Sequence, residues 1–74
     1  MDFERPIDIL NVARKKSVVV ELKNKTQITG ILEAFDIHPN IVLSNAEESE
    51  GGEVKRKIGN VFIRGDMVIL ISPA

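Results

Sequence analysis

Residues 17–36 read SVVVELKNKTQITGILEAFD, and the period of their apolar residues decides the fold. Val18, Val20 and Leu22 alternate with Val19, Glu21 and Lys23. A two-residue period is that of a strand with one buried face. Asn24-Lys25 breaks the pattern as a tight turn, with Asn24 the residue suited to a positive φ. A second strand follows from Thr26 to about Asp36 and carries Gly30 inside it. An interior glycine marks a bulge, a sharp bend or a close backbone approach. A long strand interrupted in this way is how a small sheet curls into a barrel.

Upstream of this stretch the period becomes helical. Over residues 3–13, Ile7, Leu10 and Ala13 form an apolar stripe that Ile9 and Val12 widen, and Pro6 suits the first turn. Arg14-Lys15-Lys16 follows at the C-terminal end, where the helix dipole favours cations. Downstream, Asp36-Ile37-His38-Pro39-Asn40 reads as a turn, and residues 41–46 as a third strand. Residues 47–53, EESEGGE, read as a solvated acidic loop. A fourth strand spans residues 55–63 with Gly59 inside it, Arg64-Gly65-Asp66 is a turn, and residues 67–71 are a short apolar fifth strand. Such a strand is buried on both faces or paired at an interface. The predicted architecture is mainly β: a short helix, then a strongly bent five-stranded antiparallel sheet forming a small open barrel. No linker or internal repeat divides it, so residues 1–74 are expected to form a single domain.

A 74-residue chain has little independent core, and it has no cysteine to staple it. Its one histidine, His38, makes a protein-only zinc site an unusual proposition. Oligomerisation is the remaining stabiliser, and the open edges of a five-stranded barrel invite it. The apolar fifth strand points to a β-mediated contact. No run of about 18 apolar residues provides a membrane span, and the N-terminus does not read as a signal peptide. Absence of cysteine fits a reducing cytoplasm. The net charge of −1 supplies no broad basic surface, so nucleic-acid binding must rest on local contacts.

The chemistry lies in two turns. His38 and Arg64 both present flat faces, able to sandwich a base by ring and guanidinium stacking. Asn40 has one acceptor and two donors and can read a base edge through two hydrogen bonds. Its oxygen would accept from uracil N3–H while an amide N–H donates to O4, with Asp66 accepting from the Asn40 amide and aiming it. Cytosine reverses that order, a mismatch of roughly 1–3 kcal/mol. Each turn alone is a weak signal: a turn histidine is usually solvated, and Arg-Gly-Asp is usually just a turn. No nucleophile elbow or phosphate-cradling glycine loop supports an enzyme, and no cofactor is implied.

Together these residues carry a resemblance. Residues 17–43, with Leu22, Gly30, Leu32, Asp36 and Asn40 in order, followed by Ile63-Arg64-Gly65-Asp66 and an apolar strand, resemble the two motifs of the Sm and Sm-like proteins, most closely the archaeal group. The second motif covers about residues 58–72. The resemblance implies the helix-plus-barrel fold and a ring in which the fourth strand of one subunit pairs with the fifth of the next. Archaeal rings are commonly seven-membered; a small change in subunit angle gives six. It further implies that His38, Asn40, Arg64, Gly65 and Asp66 bind single-stranded uridine-rich RNA at the inner rim of the pore, in an RNA scaffold or chaperone. Two departures stand out: Lys25 occupies a position usually held by glycine, which implies a different turn type, and Pro39 stands where methionine is common. The rival readings are a ring that assembles protein partners with little base-specific RNA binding, and a metal- or small-ligand-binding barrel.

Overall fold

The computed structural model describes residues 6–38 and 40–74. Helix α1 (Pro6–Ala13) precedes five strands: β1 (Ser17–Leu22), β2 (Gln27–Phe35), β3 (Ile41–Glu50), β4 (Glu53–Ile63) and β5 (Val68–Pro73). A 3-10 turn, Gly65–Met67, separates the last two. All pairings are antiparallel, in the order β4-β3-β2-β1-β5. The two edge strands, β4 and β5, therefore lie at opposite ends of one bent sheet. This is the mainly β architecture expected from the sequence. Residues 3–5 of the expected helix lie outside the described residues.

Alternation places the core as anticipated. Val18, Val20 and Leu22 of β1 are buried with Ile28 and Leu32 of β2, Ile41, Leu43 and Ala46 of β3, and Ile63 of β4. Leu10 and Ala13 of α1 close one end. Val12 does not widen that apolar stripe; it is exposed. The helix ends where Lys15 turns to φ 67°, while the Lys16 N–H donates to the Ala13 carbonyl. The basic run 14–16 therefore follows the helix rather than forming its last turn, and the Lys15 ammonium pairs with Glu33.

Gly30 sets the bend. A Cβ at this position would lie 2.9 Å from the Ser44 carbonyl oxygen, 3.1 Å from Leu43 Cβ and 3.2 Å from Ala46 Cα. Opposite it the register slips between Thr29 and Ile31, so β3 carries an extra residue there. Asn45, in that bulge, has φ 49°, which asparagine tolerates. Gly59 at φ 85° lies in a matching irregularity of β4.

Two local readings need correction. Lys25, not Asn24, takes the positive φ, at 67°. The Lys25 N–H donates to the Leu22 carbonyl at 3.0 Å, and Leu22 N–H donates to Thr26 at 2.9 Å. This is a three-residue hairpin loop whose last residue must be left-handed. Asn24 instead accepts the Thr26 N–H at 3.1 Å. The second correction concerns the acidic segment. β3 continues to Glu50 and β4 begins at Glu53, leaving only Gly51-Gly52 as the turn. Glu47 and Glu48 face Lys57 and Arg56 in register, and Arg56 Nε donates to Glu48 at 2.9 Å. Opposite charges across strands support the ladder rather than dissolve it.

Candidate functional site

The two polar turns meet at one end of the sheet. Phe35 pairs with Ile41 and Ile41 with Ile63, so the next step along β2, β3 and β4 brings Asp36, Asn40 and Arg64 to the strand ends. The Asp36 N–H donates to the Asn40 carbonyl at 3.1 Å and closes the loop. The Asp36 carboxylate organises it: Oδ1 accepts the backbone N–H groups of His38 and Asn40, both at 2.9 Å. Its other oxygen, Oδ2, accepts from Asn40 Nδ2 at 3.0 Å. On the far side, Asn40 Oδ1 accepts the Gly65 backbone N–H at 2.9 Å. Asn40 is thus clamped between the two turns, and Gly65 contributes through its backbone.

The expected partner of Asn40 is corrected by this geometry. Asp66 does not hold the amide; its carboxylate pairs with Arg64 at 3.1 Å, both side chains being exposed. Asp66 sits in the 3-10 turn after Arg64, whereas Asp36 lies directly across the loop from Asn40. The hydrogen bond from Asn40, reinforced by the His38 and Asn40 backbone N–H groups, holds the Asp36 carboxyl below the ordinary aspartate range. Clamping leaves Asn40 one amide N–H and one oxygen lone pair uncommitted, a donor beside an acceptor. His38 and Arg64 are exposed at the same end of the sheet. Pro39 lies outside the described residues.

Sequence reasoning read Asp36 as a turn former and a motif residue but not as the holder of Asn40, and it passed over Phe62. Phe62 is 61% exposed and lines, with Ala34, Phe35, Val42, Asp36 and Asn40, a cleft of about 200 Å³. The signal for Asp36 was its spacing of four from Asn40 across a turn, within reach of both its backbone and its amide. Among the described residues no cluster of three metal-ligating side chains is present.

The LSM domain model matches residues 8–73. The chain belongs to the LSM family. An snRNP Sm-like protein of Archaeoglobus fulgidus is 51% identical over 70 residues, covering 95% of this chain and 91% of that protein. The Pyrococcus abyssi Sm protein, solved in complex with a uridine heptamer, superposes with a TM-score of 0.92 at 44% identity, covering 96% of this chain and all of that one. A heptameric archaeal Sm protein superposes with a TM-score of 0.82 at 42% identity over 88% of this chain and 94% of its own. The two solved LSM relatives share the bent-sheet fold of this chain.

Proposed function

We propose that this LSM protein is a non-catalytic ring subunit that binds uridine-rich single-stranded RNA at the inner rim of the pore. The supporting observation is the fixed aim of Asn40, held by Asp36 and Gly65, beside exposed His38 and Arg64. A clamped amide offering donor and acceptor together suits the edge of uracil, and flat side chains suit its faces. The uridine complex of the Pyrococcus abyssi relative and the heptameric archaeal relative favour the same reading. We assign base contact to His38, Asn40 and Arg64, with Gly65 anchoring Asn40 through its N–H. Asp66 contributes by pairing with Arg64.

The subunits form a homo-oligomeric ring, a heptamer, in which β4 of one copy pairs with β5 of the next. Exposed Phe62 on β4, and Ile69 and Leu70 on β5, are the apolar side chains such pairing covers. Among the described residues no helix is long and apolar enough to cross a membrane; the cytoplasm, as the place of RNA processing, is part of this proposal. Fluorescence anisotropy with oligo(U) and oligo(C) at two salt concentrations, with Asn40→Ala as control, tests the reading. Preference for oligo(U) that Asn40→Ala removes is the expected result; equal binding of both strands favours the protein-assembly alternative. A native mass spectrum with and without oligo(U) gives the ring size directly.

A further inference from the structure

Ile37 is 80% exposed, more than any other large apolar side chain among the described residues. Apart from Val12 on the helix, the other exposed ones lie on or beside the edge strands β4 and β5, where subunit pairing can cover them. Ile37 has no such cover. It stands in the turn between β2 and β3, and both of these strands already have partners on either side. The turn is nevertheless ordered. Asp36 Oδ1 accepts the His38 N–H at 2.9 Å, which closes a tight turn with Ile37 at its apex, and the same oxygen accepts the Asn40 N–H. A side chain at such an apex points away from the atoms the turn encloses, and so away from the Asn40 amide held on Asp36. The fold thus holds an aliphatic group out in water, one residue from His38 and three from Asn40.

We infer that Ile37 packs against the nucleotide adjoining the one that Asn40 reads, and so grips the RNA strand between base sites without selecting its sequence. The inference rests on the site assignment proposed above. Continuity with that site makes RNA the occupant: Ile37 is the chain neighbour of His38, whose ring is assigned to base contact. Single-stranded RNA offers apolar surface on the face of every base, so an aliphatic side chain can cover it whatever the sequence. Ile37 has no donor or acceptor and cannot tell uracil from cytosine. It has no charge and releases no counterions. Its direction away from the clamp puts the base on Asn40 out of its reach and leaves it the next nucleotide along the strand. Because Asp36 already fixes the turn, the contact orders little further backbone on binding. Asn40 and Ile37 thereby divide the work, one reading a base and the other holding the strand that runs on from it.

Ile37→Ser and Ile37→Leu test this against three ligands: oligo(U), oligo(C) and uridine monophosphate. Ile37 is exposed, so both variants should fold, and native mass spectrometry over a dilution series should show the parent's ring. Ile37→Ser is expected to weaken oligo(U) and oligo(C) by the same factor, roughly three- to tenfold for each subunit engaged, the scale of partly burying one aliphatic side chain. The salt dependence should not change, and Ile37→Leu should bind as the parent does. Uridine monophosphate, which occupies the clamp alone, should bind the parent and Ile37→Ser equally by saturation-transfer NMR. Weaker binding of the mononucleotide by Ile37→Ser would place Ile37 in the base clamp itself and overturn the inference. A ring that dissociates at higher concentration would make Ile37 a subunit contact, and would overturn it too. Unchanged oligonucleotide affinity would do the same and leave a protein partner as the occupant. If the parent shows no preference for oligo(U) over oligo(C), the site assignment fails; if the parent prefers oligo(U) and Ile37→Ser binds both strands equally well as the parent, the inference about Ile37 fails alone.

Discussion

Asp36 holds Asn40 twice, accepting its backbone N–H at 2.9 Å through one carboxylate oxygen and its side-chain amide at 3.0 Å through the other. One side chain thus fixes both the position and the orientation of the next. A clamp of this kind turns a flexible turn into a rigid reading head, because an asparagine that can rotate offers donor and acceptor equally in either order. Gly65 completes it from the second motif by donating to Asn40 Oδ1, which assigns the amide orientation without ambiguity.

Asp36→Ala should therefore cost uridine preference, by roughly 1–3 kcal/mol, the scale of one bidentate base contact. Asp66→Ala leaves both bonds to Asn40 in place and should keep that preference. Competition binding with oligo(U) and oligo(C) separates the two variants. Full selectivity in Asp36→Ala would show that the clamp is dispensable.

Acid should release the clamp late. Hydrogen bonds from Asn40 and from the His38 N–H lower the Asp36 pKa from its ordinary 3.8. A group with a depressed folded pKa contributes order that is complete above the unfolded value and is lost as pH falls through the folded one. The Asn40 side-chain amide resonances and the Asp36 carboxyl carbon should shift together with a common midpoint below 3.8. A common midpoint at or above that value would contradict the hydrogen bonding described. Glu33 should titrate low too, held by Lys15 and Ser44, and it provides an internal comparison away from the site.

Most of the sheet was legible in the sequence because one face is buried. Val18, Val20 and Leu22 alternate cleanly, and a slip of one residue would expose all three. The acidic hairpin was not legible by the same rule, since neither face of residues 53–57 is buried and a run of charge reads as solvated. Its signal was of another kind: acids at 47 and 48 facing bases at 57 and 56 about Gly51-Gly52. At the site, the residue types around Asn40 were readable but the partner was not. Asp36 and Asp66 are chemically equivalent candidates, and only the rung that places Asp36 across from Asn40 chooses between them. The exposure of Ile69 and Leu70 likewise required the sheet order, which leaves β5 at an edge.

Lys25→Gly should stabilise the protein. Lys25 holds φ at 67°. A left-handed backbone costs a side-chain-bearing residue about 1–2 kcal/mol. Glycine removes that strain but loses about 0.5–1 kcal/mol of unfolded-chain entropy, so a net gain of about 0.5–1 kcal/mol is expected. Denaturant midpoints at one fixed subunit concentration measure it, because assembly makes stability concentration-dependent. Asn24→Gly should give no such gain, since it removes the acceptor for the Thr26 N–H.

Gly30→Ala should do the reverse. The added methyl would meet backbone at Ser44 and Ala46, neither of which can turn aside as a flexible side chain can. Overpacking of this kind costs about 1–3 kcal/mol. The denaturant midpoint should fall with little change in slope, the sign of a destabilised native state rather than an altered unfolded one. A variant as stable as the parent would mean that β2 and β3 can separate at the bend.

Arg64 and Asp66 should be told apart by salt. Their ion pair at 3.1 Å is exposed, so it contributes little stability, and the fold should tolerate losing either partner. The pair nevertheless sets how much of the guanidinium's charge reaches the RNA. Arg64→Ala removes a stacking face and a cation, and binding of every sequence should weaken. If Arg64 contacts one phosphate, the slope of log affinity against log salt should drop by about 0.7 per engaged subunit, the single-strand value. Asp66→Ala frees Arg64 from its counter-charge. It should raise affinity at low salt for oligo(U) and oligo(C) alike, steepen the salt dependence and leave their ratio unchanged. The double variant, lacking both charges, should regain none of the affinity lost in Arg64→Ala. An Asp66→Ala gain that persisted without Arg64 would show Asp66 repelling RNA directly, and would remove the ion pair from the account of binding.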